Sequence, residues 1–208
     1  MKLMVYIQMV NEMSFFLAPI APVCDAQGRV LAKPSMVPAS AATLSQVYRF
    51  IRSNEKLELL TRKVRSASDF GAAKKELLPF VTPCGTFEVR KSSGLLALSG
   101  VFPVDVDKLE SEEEAADLRR RLFADPYLNA RLVFVSPGGK GVKAFVPYPL
   151  EKIGNPAEDV PVFIRQAMEY VHLMYDRPDS GKTAGVDVSG KDLARACFLC
   201  HDAEAVLR

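Results

Sequence analysis

The chain has 208 residues, 49% hydrophobic and 25% charged, with a formal net charge of +2. That is the composition of a folded globular protein with a sizeable core, as one large domain or two small packed modules. It excludes a disordered or collagen-like chain, and so small a net charge makes no case by itself for nucleic acid or a membrane surface.

MKLMVYIQMVNEMSFFLAPIAP opens the chain with a single lysine ahead of a hydrophobic run. Gln8, Asn11 and Glu12 interrupt that run, so it reads as a β-strand and turn rather than a secretory signal. There is no apolar run of roughly 18 residues or more, so no transmembrane helix is expected. Cys24, Cys84, Cys197 and Cys200 have no framework spacing, which points to a reducing, cytoplasmic setting.

Strands are expected over 3–9 and 14–19, followed by a proline-rich stretch, Lys33–Ser40. A helix begins at an N-cap near Ser40 or Thr43 and carries Leu44, Val47, Tyr48 and Ile51 on one face. Helices over about 56–66 and 68–77 follow, and Pro79 closes this front section. Beyond residue 84 the pattern predicts strands over 85–89 and 94–107. A helix over 110–125 is acidic at its start and basic toward its end, as the helix dipole prefers. Residues 131–137 and 142–148 form a hairpin around a glycine turn, 158–175 a long helix, and 195–201 a buried strand. Strands and helices mix without strict alternation, which indicates an α+β fold, and no repeat is visible.

The apolar run ending in SGVFPVDVDKL carries Asp105 and Asp107. Side chains two apart on a strand share a face at roughly 6–7 Å. At an effective dielectric near 20, carboxylates that close repel by about 2–3 kcal/mol. A cation between them relieves this, and hard divalent ions are held by one or two carboxylates plus phosphates. A bare DxD also fits a strand end with Lys108 as counter-ion. Downstream, SPGGKGVKAF places Gly138, Gly139 and Gly141 between Ser136 and Lys143. Such a turn is able to approach a ligand closely and to form an anion-binding nest of N–H groups, with Ser136, Lys140 and Lys143 as added donors; it equally suits a plain hairpin. It is not a Walker A loop, since the spacing differs and a strand follows. Asp187 is a candidate third carboxylate and Arg195 a candidate phosphate contact; an Asx-turn and a surface ion pair are the structural alternatives. The basic clusters at 62–65, 74–75 and 119–121 read singly as solvated helix faces. CFLCH, Cys197 to His201, spells the c-type haem attachment string, but it lies in a predicted buried strand of a chain without a convincing export signal. Neither haem nor zinc is expected.

Taken in order, the strand ending in DxD, a turn of the form S-x-G-x-G-x-H and a later acidic residue resemble the archaeo-eukaryotic primase, or primase-polymerase, superfamily. LSQVYRFIRS (44–53), KKELLPFVTPCGTFEVR (74–90), SGVFPVDVDKL (99–109), FVSPGGKGVKAFV (134–146) and DLARACFLCHD (192–202) are similar to the VirE N-terminal domain family of bacterial mobile elements, whose members often precede helicase-like regions. The resemblance implies a primase-polymerase-like fold: an N-terminal α/β module (1–80) packed on an RRM-like antiparallel catalytic module with flanking helices (81–208). It implies Mg²⁺ or Mn²⁺ on Asp105, Asp107 and Asp187. Ser136, Gly138, Gly139, Lys140, Gly141, Lys143 and Arg195 would lie at the nucleotide. Lys143 stands where the family's turn carries histidine, so it meets a triphosphate as a point charge instead of a neutral imidazole. The implied function is a metal-dependent nucleotidyltransferase in DNA replication. Its partners would be a nucleoside triphosphate, a DNA or RNA template at basic clusters 62–65 and 74–75, and a helicase-like region or protein. The alternatives are a non-catalytic nucleic-acid-binding or docking module and a metal-dependent nuclease. With no helicase before Arg208, the chain reads as a fragment or a stand-alone domain.

Overall fold

The computed structural model describes residues 8–9, 11–175, 185–186 and 192–208. Its front section contains strands β1 (Gln8–Met9), β2 (Glu12–Phe16), β3 (Val23–Cys24), β4 (Val30–Ala32) and β5 (Ser40–Thr43). Three helices follow, α1 (Leu44–Ser53), α2 (Glu55–Arg65) and α3 (Phe70–Leu77). Each helix begins where its sequence provides a cap. Thr43 and Gln46 form a reciprocal capping box on α1, while Asn54 and Asp69 accept the N–H groups of Leu57 and Ala72. The residues between the two candidate caps, Ser40 to Thr43, are extended and pair with β2.

Strands β6 (Phe80–Thr82), β7 (Gly85–Phe87), β8 (Leu95–Leu98) and β9 (Val101–Asp107) come next. They are followed by α4 (Glu112–Ala124), β10 (Leu132–Val135), β11 (Val142–Pro147), α5 (Pro156–Tyr175), β12 (Gly185–Val186), β13 (Cys197–Phe198) and β14 (Val206–Leu207). Ser111 caps α4, whose first turn holds Glu112, Glu113 and Glu114 and whose last turn holds Arg121.

Several expectations need correction. The strand expected over 94–107 is two strands in different sheets, broken at Gly100, which takes a φ of +86° that a side chain would strain. The strand expected over 14–19 runs instead from Glu12 to Phe16 and stops ahead of Pro19. The strand expected over 195–201 shrinks to Cys197–Phe198: Leu199 donates to the Pro79 carbonyl and His201 to the Thr61 hydroxyl, so the chain leaves the ladder. Of the strand expected over 3–9, residues 3–7 lie outside the described residues.

The central element is a five-stranded sheet in the order β12-β9-β11-β10-β14, antiparallel throughout. A second sheet, β13-β6-β2-β5, joins strands from both ends of the chain. Two cores flank the central sheet. Phe102, Val104 and Val106 of β9 face the core shared with α4 and α5. Val101 of β9, Phe145 of β11, and Leu132 and Phe134 of β10 face the core shared with α1, α2, β2 and β6. The result is a mixed α+β architecture whose central sheet is covered on both faces.

Candidate functional site

Strand alternation decides which residues meet. Because Val104 and Val106 enter the α4–α5 core, Asp105 and Asp107 face the opposite layer, as Lys143 and Phe145 do on β11. Along that face the seam between the layers is apolar until it reaches the end of β9. There the side chains become Asp105, Asp107 and Lys143, and the seam opens into a cleft of about 510 Å³.

Lys143 is the direct cross-strand neighbour of Asp105. Its Nζ donates to Asp105 Oδ1 at 2.6 Å, with side-chain exposures of 9% and 16%. Burial works against the ammonium. The charge and hydrogen bond of Asp105, with Asp107 behind, outweigh it and hold the Lys143 pKa above that of an ordinary lysine. Asp105 therefore has a resident counter-ion in Lys143.

The glycine turn forms the next wall, with Ser136, Gly138 and Lys140 lining the cleft. Ser136 N–H donates to Gly141 O at 2.8 Å and Gly139 N–H to Ser136 O at 2.9 Å. Two amide hydrogens are thus used inside the turn. Gly139 has a φ of +78°. At Gly141 the reason for glycine is proximity: a Cβ would lie 2.7 Å from Val106 O and 2.9 Å from Asp107 Oδ1. Glycine lets the turn lie directly against the strand end that carries the two aspartates. Arg65 of α2 holds the turn from outside, donating from Nε to Pro137 O at 3.0 Å.

The opposite wall comes from α3 and the β13 segment and sets two rings that sequence reasoning missed, Phe70 and Phe198, beside the expected Arg195 and Lys74 of the 74–75 cluster. The Lys74 ammonium lies 5.5 Å from the Phe70 ring centroid and 5.3 Å from that of Phe198, within cation–π range. Burial, then the charge of Lys143, lowers the Lys74 pKa from the usual lysine value. The aromatic residues near the turn in sequence, Phe145 and Tyr148, are both buried, so the accessible rings are Phe70 and Phe198. The signal for Phe198 was masked by its position inside the CxxCH string.

Of the residues singled out from sequence, Asp105, Asp107, Ser136, Gly138, Lys140, Lys143 and Arg195 line the one cleft, with Gly139 and Gly141 shaping its turn. Asp187 lies outside the described residues. Cys197 and Cys200 are buried free thiols with pKa values pushed up to about 12 by burial, which makes them poor nucleophiles. The basic clusters divide by contact. Arg62 pairs with Glu58, and Arg119 is buried against Asp202 at 2.8 Å, while Arg120 pairs with Asp117 on the surface.

No group of three or more His, Cys, Asp or Glu suited to a metal ion occurs among the described residues. Asp105 and Asp107, two apart on one strand face and open to the cleft, nevertheless fit a hard divalent ion that arrives with phosphate oxygens. Such ions need only one or two protein carboxylates. Asp105 keeps Oδ2 outside its bond to Lys143.

A family model described as BT4734-like, N-terminal domain, matches residues 72–207, more than half of the chain and all of this cleft except Phe70. The chain belongs to the BT4734-like N-terminal domain family. No curated protein and no solved structure matches it. No helix among the described residues is long and apolar enough to cross a membrane.

Proposed function

We propose that this BT4734-like domain is a metal-dependent nucleotidyltransferase of the primase-polymerase type. The observation that carries the reading is the convergence, in one cleft, of two carboxylates, a glycine turn with lysines and two accessible aromatic rings. Each part matches one portion of a nucleoside triphosphate. Lys140, Lys143 and Arg195 supply positive charge for the phosphates, and the Ser136 hydroxyl a directional donor. Phe70 and Phe198 offer flat apolar surface for a base. Asp105 and Asp107 would hold Mg²⁺ or Mn²⁺, whose contribution when bound is to neutralise phosphate charge and lower the pKa of an attacking hydroxyl. The protein's own part is positioning: Arg65 and Gly141 fix the turn against β9, so the cationic side chains and the carboxylates line the same cleft.

The resemblance to the VirE N-terminal and primase-polymerase families supports the same reading, with Asp187 as a third acid and a nucleic-acid template and a helicase-like partner beyond the cleft. One observation favours a second reading. Lys143 already neutralises Asp105, which suits a non-catalytic nucleic-acid-binding or docking module that needs no metal.

A thermal-shift matrix separates the two. Mn²⁺ and a nucleoside triphosphate are added alone and together to wild type and Asp107→Ala. A ligand at 100 times its dissociation constant stabilises by about 2.7 kcal/mol. The enzyme reading expects more stabilisation from the pair than from the sum of its parts, lost in Asp107→Ala, and primer extension with Mn²⁺. Single-strand binding that is indifferent to EDTA, with no metal–nucleotide synergy, supports the docking module instead.

A further inference from the structure

We propose that Lys143 acts as a latch on the carboxylate pair, so that a divalent cation is accepted only once a polyphosphate has drawn the ammonium off Asp105. The inference rests on the metal-dependent reading above and adds an order to it. Three observations carry it.

The first is register. Asp105 and Lys143 face each other across β9 and β11, and backbone pairing on both sides holds them there. The sheet thus keeps the two side chains next to each other, and the Lys143 rotamer makes the 2.6 Å contact. An ammonium on Oδ1 competes with any other cation for the same carboxylate.

The second is charge balance. Among the described residues lining the cleft, Lys74, Lys108, Lys140, Lys143 and Arg195 stand against Asp105 and Asp107. Among those described residues a bare dication meets five cationic side chains and two carboxylates. A triphosphate reverses the sign of the space before the ion arrives. The crowding of positive charge is already visible at Lys74, where Lys143 adds to burial in lowering the ammonium pKa.

The third is reach. Lysine is a compact charge on a flexible four-carbon stem, able to turn from a carboxylate to a phosphate by rotating about side-chain bonds. Ser136 and Lys140 line the same cleft, so a phosphate held by the turn lies within the space that Lys143 borders. A phosphate with more than one negative charge is the stronger partner, and its arrival leaves Asp105 exposed beside Asp107.

The test is calorimetric titration of Mn²⁺ into the metal-free protein without nucleotide, on wild type, Lys143→Met and Lys143→His. The histidine variant, at about pH 8 where imidazole is neutral, keeps a donor beside Asp105 without a charge and guards against a folding defect in the methionine variant. In parallel, inorganic tripolyphosphate is titrated into wild type in EDTA. The latch predicts weak Mn²⁺ binding to wild type and at least tenfold tighter binding to both variants. It also predicts metal-independent tripolyphosphate binding that weakens at least tenfold in Lys143→Met. Equal Mn²⁺ affinity in wild type and variants overturns the latch while leaving a metal-dependent site intact. Absence of Mn²⁺ binding from every protein, with a nucleoside triphosphate present or not, removes the latch and the metal-dependent reading together.

Discussion

Arg65 of α2 reaches the carbonyl oxygen of Pro137, 72 positions away in sequence, and so ties a front-layer helix to the glycine turn of the central sheet. The guanidinium does not line the cleft, yet it sets where one wall stands. Replacing Arg65 with alanine is expected to cost about 1.5–3 kcal/mol of stability, the usual worth of a hydrogen bond from a charged donor. It should also weaken triphosphate binding although it removes no ligand contact. Chemical denaturation and a binding isotherm on the same preparation measure both. An unchanged dissociation constant would mean that the turn keeps its place unaided.

Asp105 and Lys143 should be energetically coupled. Lys143→Met strands a largely buried carboxylate and is expected to destabilise by about 3 kcal/mol, as is usual when one member of a buried pair is removed. Adding Asp105→Asn to that variant should return much of the loss. A double-mutant cycle in urea gives the interaction energy directly, and additive losses would show that the pair contributes nothing beyond its separate packing.

Gly141 and Gly139 are expected to respond differently to alanine. At Gly141 the new methyl meets backbone, Val106 O at 2.7 Å, so the turn must lift away from β9 and nucleotide affinity should fall steeply. At Gly139 the cost is conformational, about 1–2 kcal/mol for a left-handed φ. There stability should fall with a smaller effect on affinity. Melting temperature against dissociation constant for the two variants separates these behaviours.

Phe198→Ala and Phe70→Ala are each expected to weaken nucleotide binding by about 1–3 kcal/mol if a base stacks there. Inorganic tripolyphosphate, which has no base, should bind both variants as it binds wild type. Equal losses for both ligands would move the rings from base recognition to wall packing.

Stability should decline at both ends of the pH scale. The buried thiols of Cys84, Cys197 and Cys200 have folded pKa values raised to about 12 from 9.0 by burial. A raised folded pKa gives stability that is complete below the unfolded value and lost as pH climbs between the two. Asp125 behaves in the opposite sense. Burial opposes its charge, but Tyr175 and Tyr170 hydroxyls and the Leu128 and Tyr127 N–H groups hold its pKa below 3.8. That stability is present above the unfolded value and lost as pH falls. Melting curves from acid to alkaline pH should show a plateau between these limits. Asp125→Asn should flatten the acid limb. At neutral pH a thiol reagent should label exposed Cys24 fast and the other three only on unfolding.

Much of the fold could be read from sequence where local chemistry marks its own limits. The α4 helix announces itself by Ser111, three glutamates and a basic last turn, and the β10–β11 hairpin by glycines between two apolar runs. What stayed hidden depends on pairing between distant strands. The partnership of Asp105 with Lys143 becomes visible only when β11 is known to lie beside β9 in that register. Phe70, Lys74 and Phe198 come together because β13, near the chain's end, pairs with β6 beside the front layer. The break at Gly100 is a third case: a run of apolar residues on both sides of one glycine carries no mark of a change of sheet.

The cleft occupies the stretch where the apolar seam between the central sheet and the front layer runs out. Asp105 and Lys143 continue the strand faces that carry the core residues Val101 and Phe145. A bound nucleotide would therefore act as the missing filling between two layers, and ligation and interlayer cohesion would be one event. Amide hydrogen exchange should register this far from the phosphates, slowing along α3 and the 195–198 segment while β10 and β14, at the opposite edge of the sheet, keep their rates.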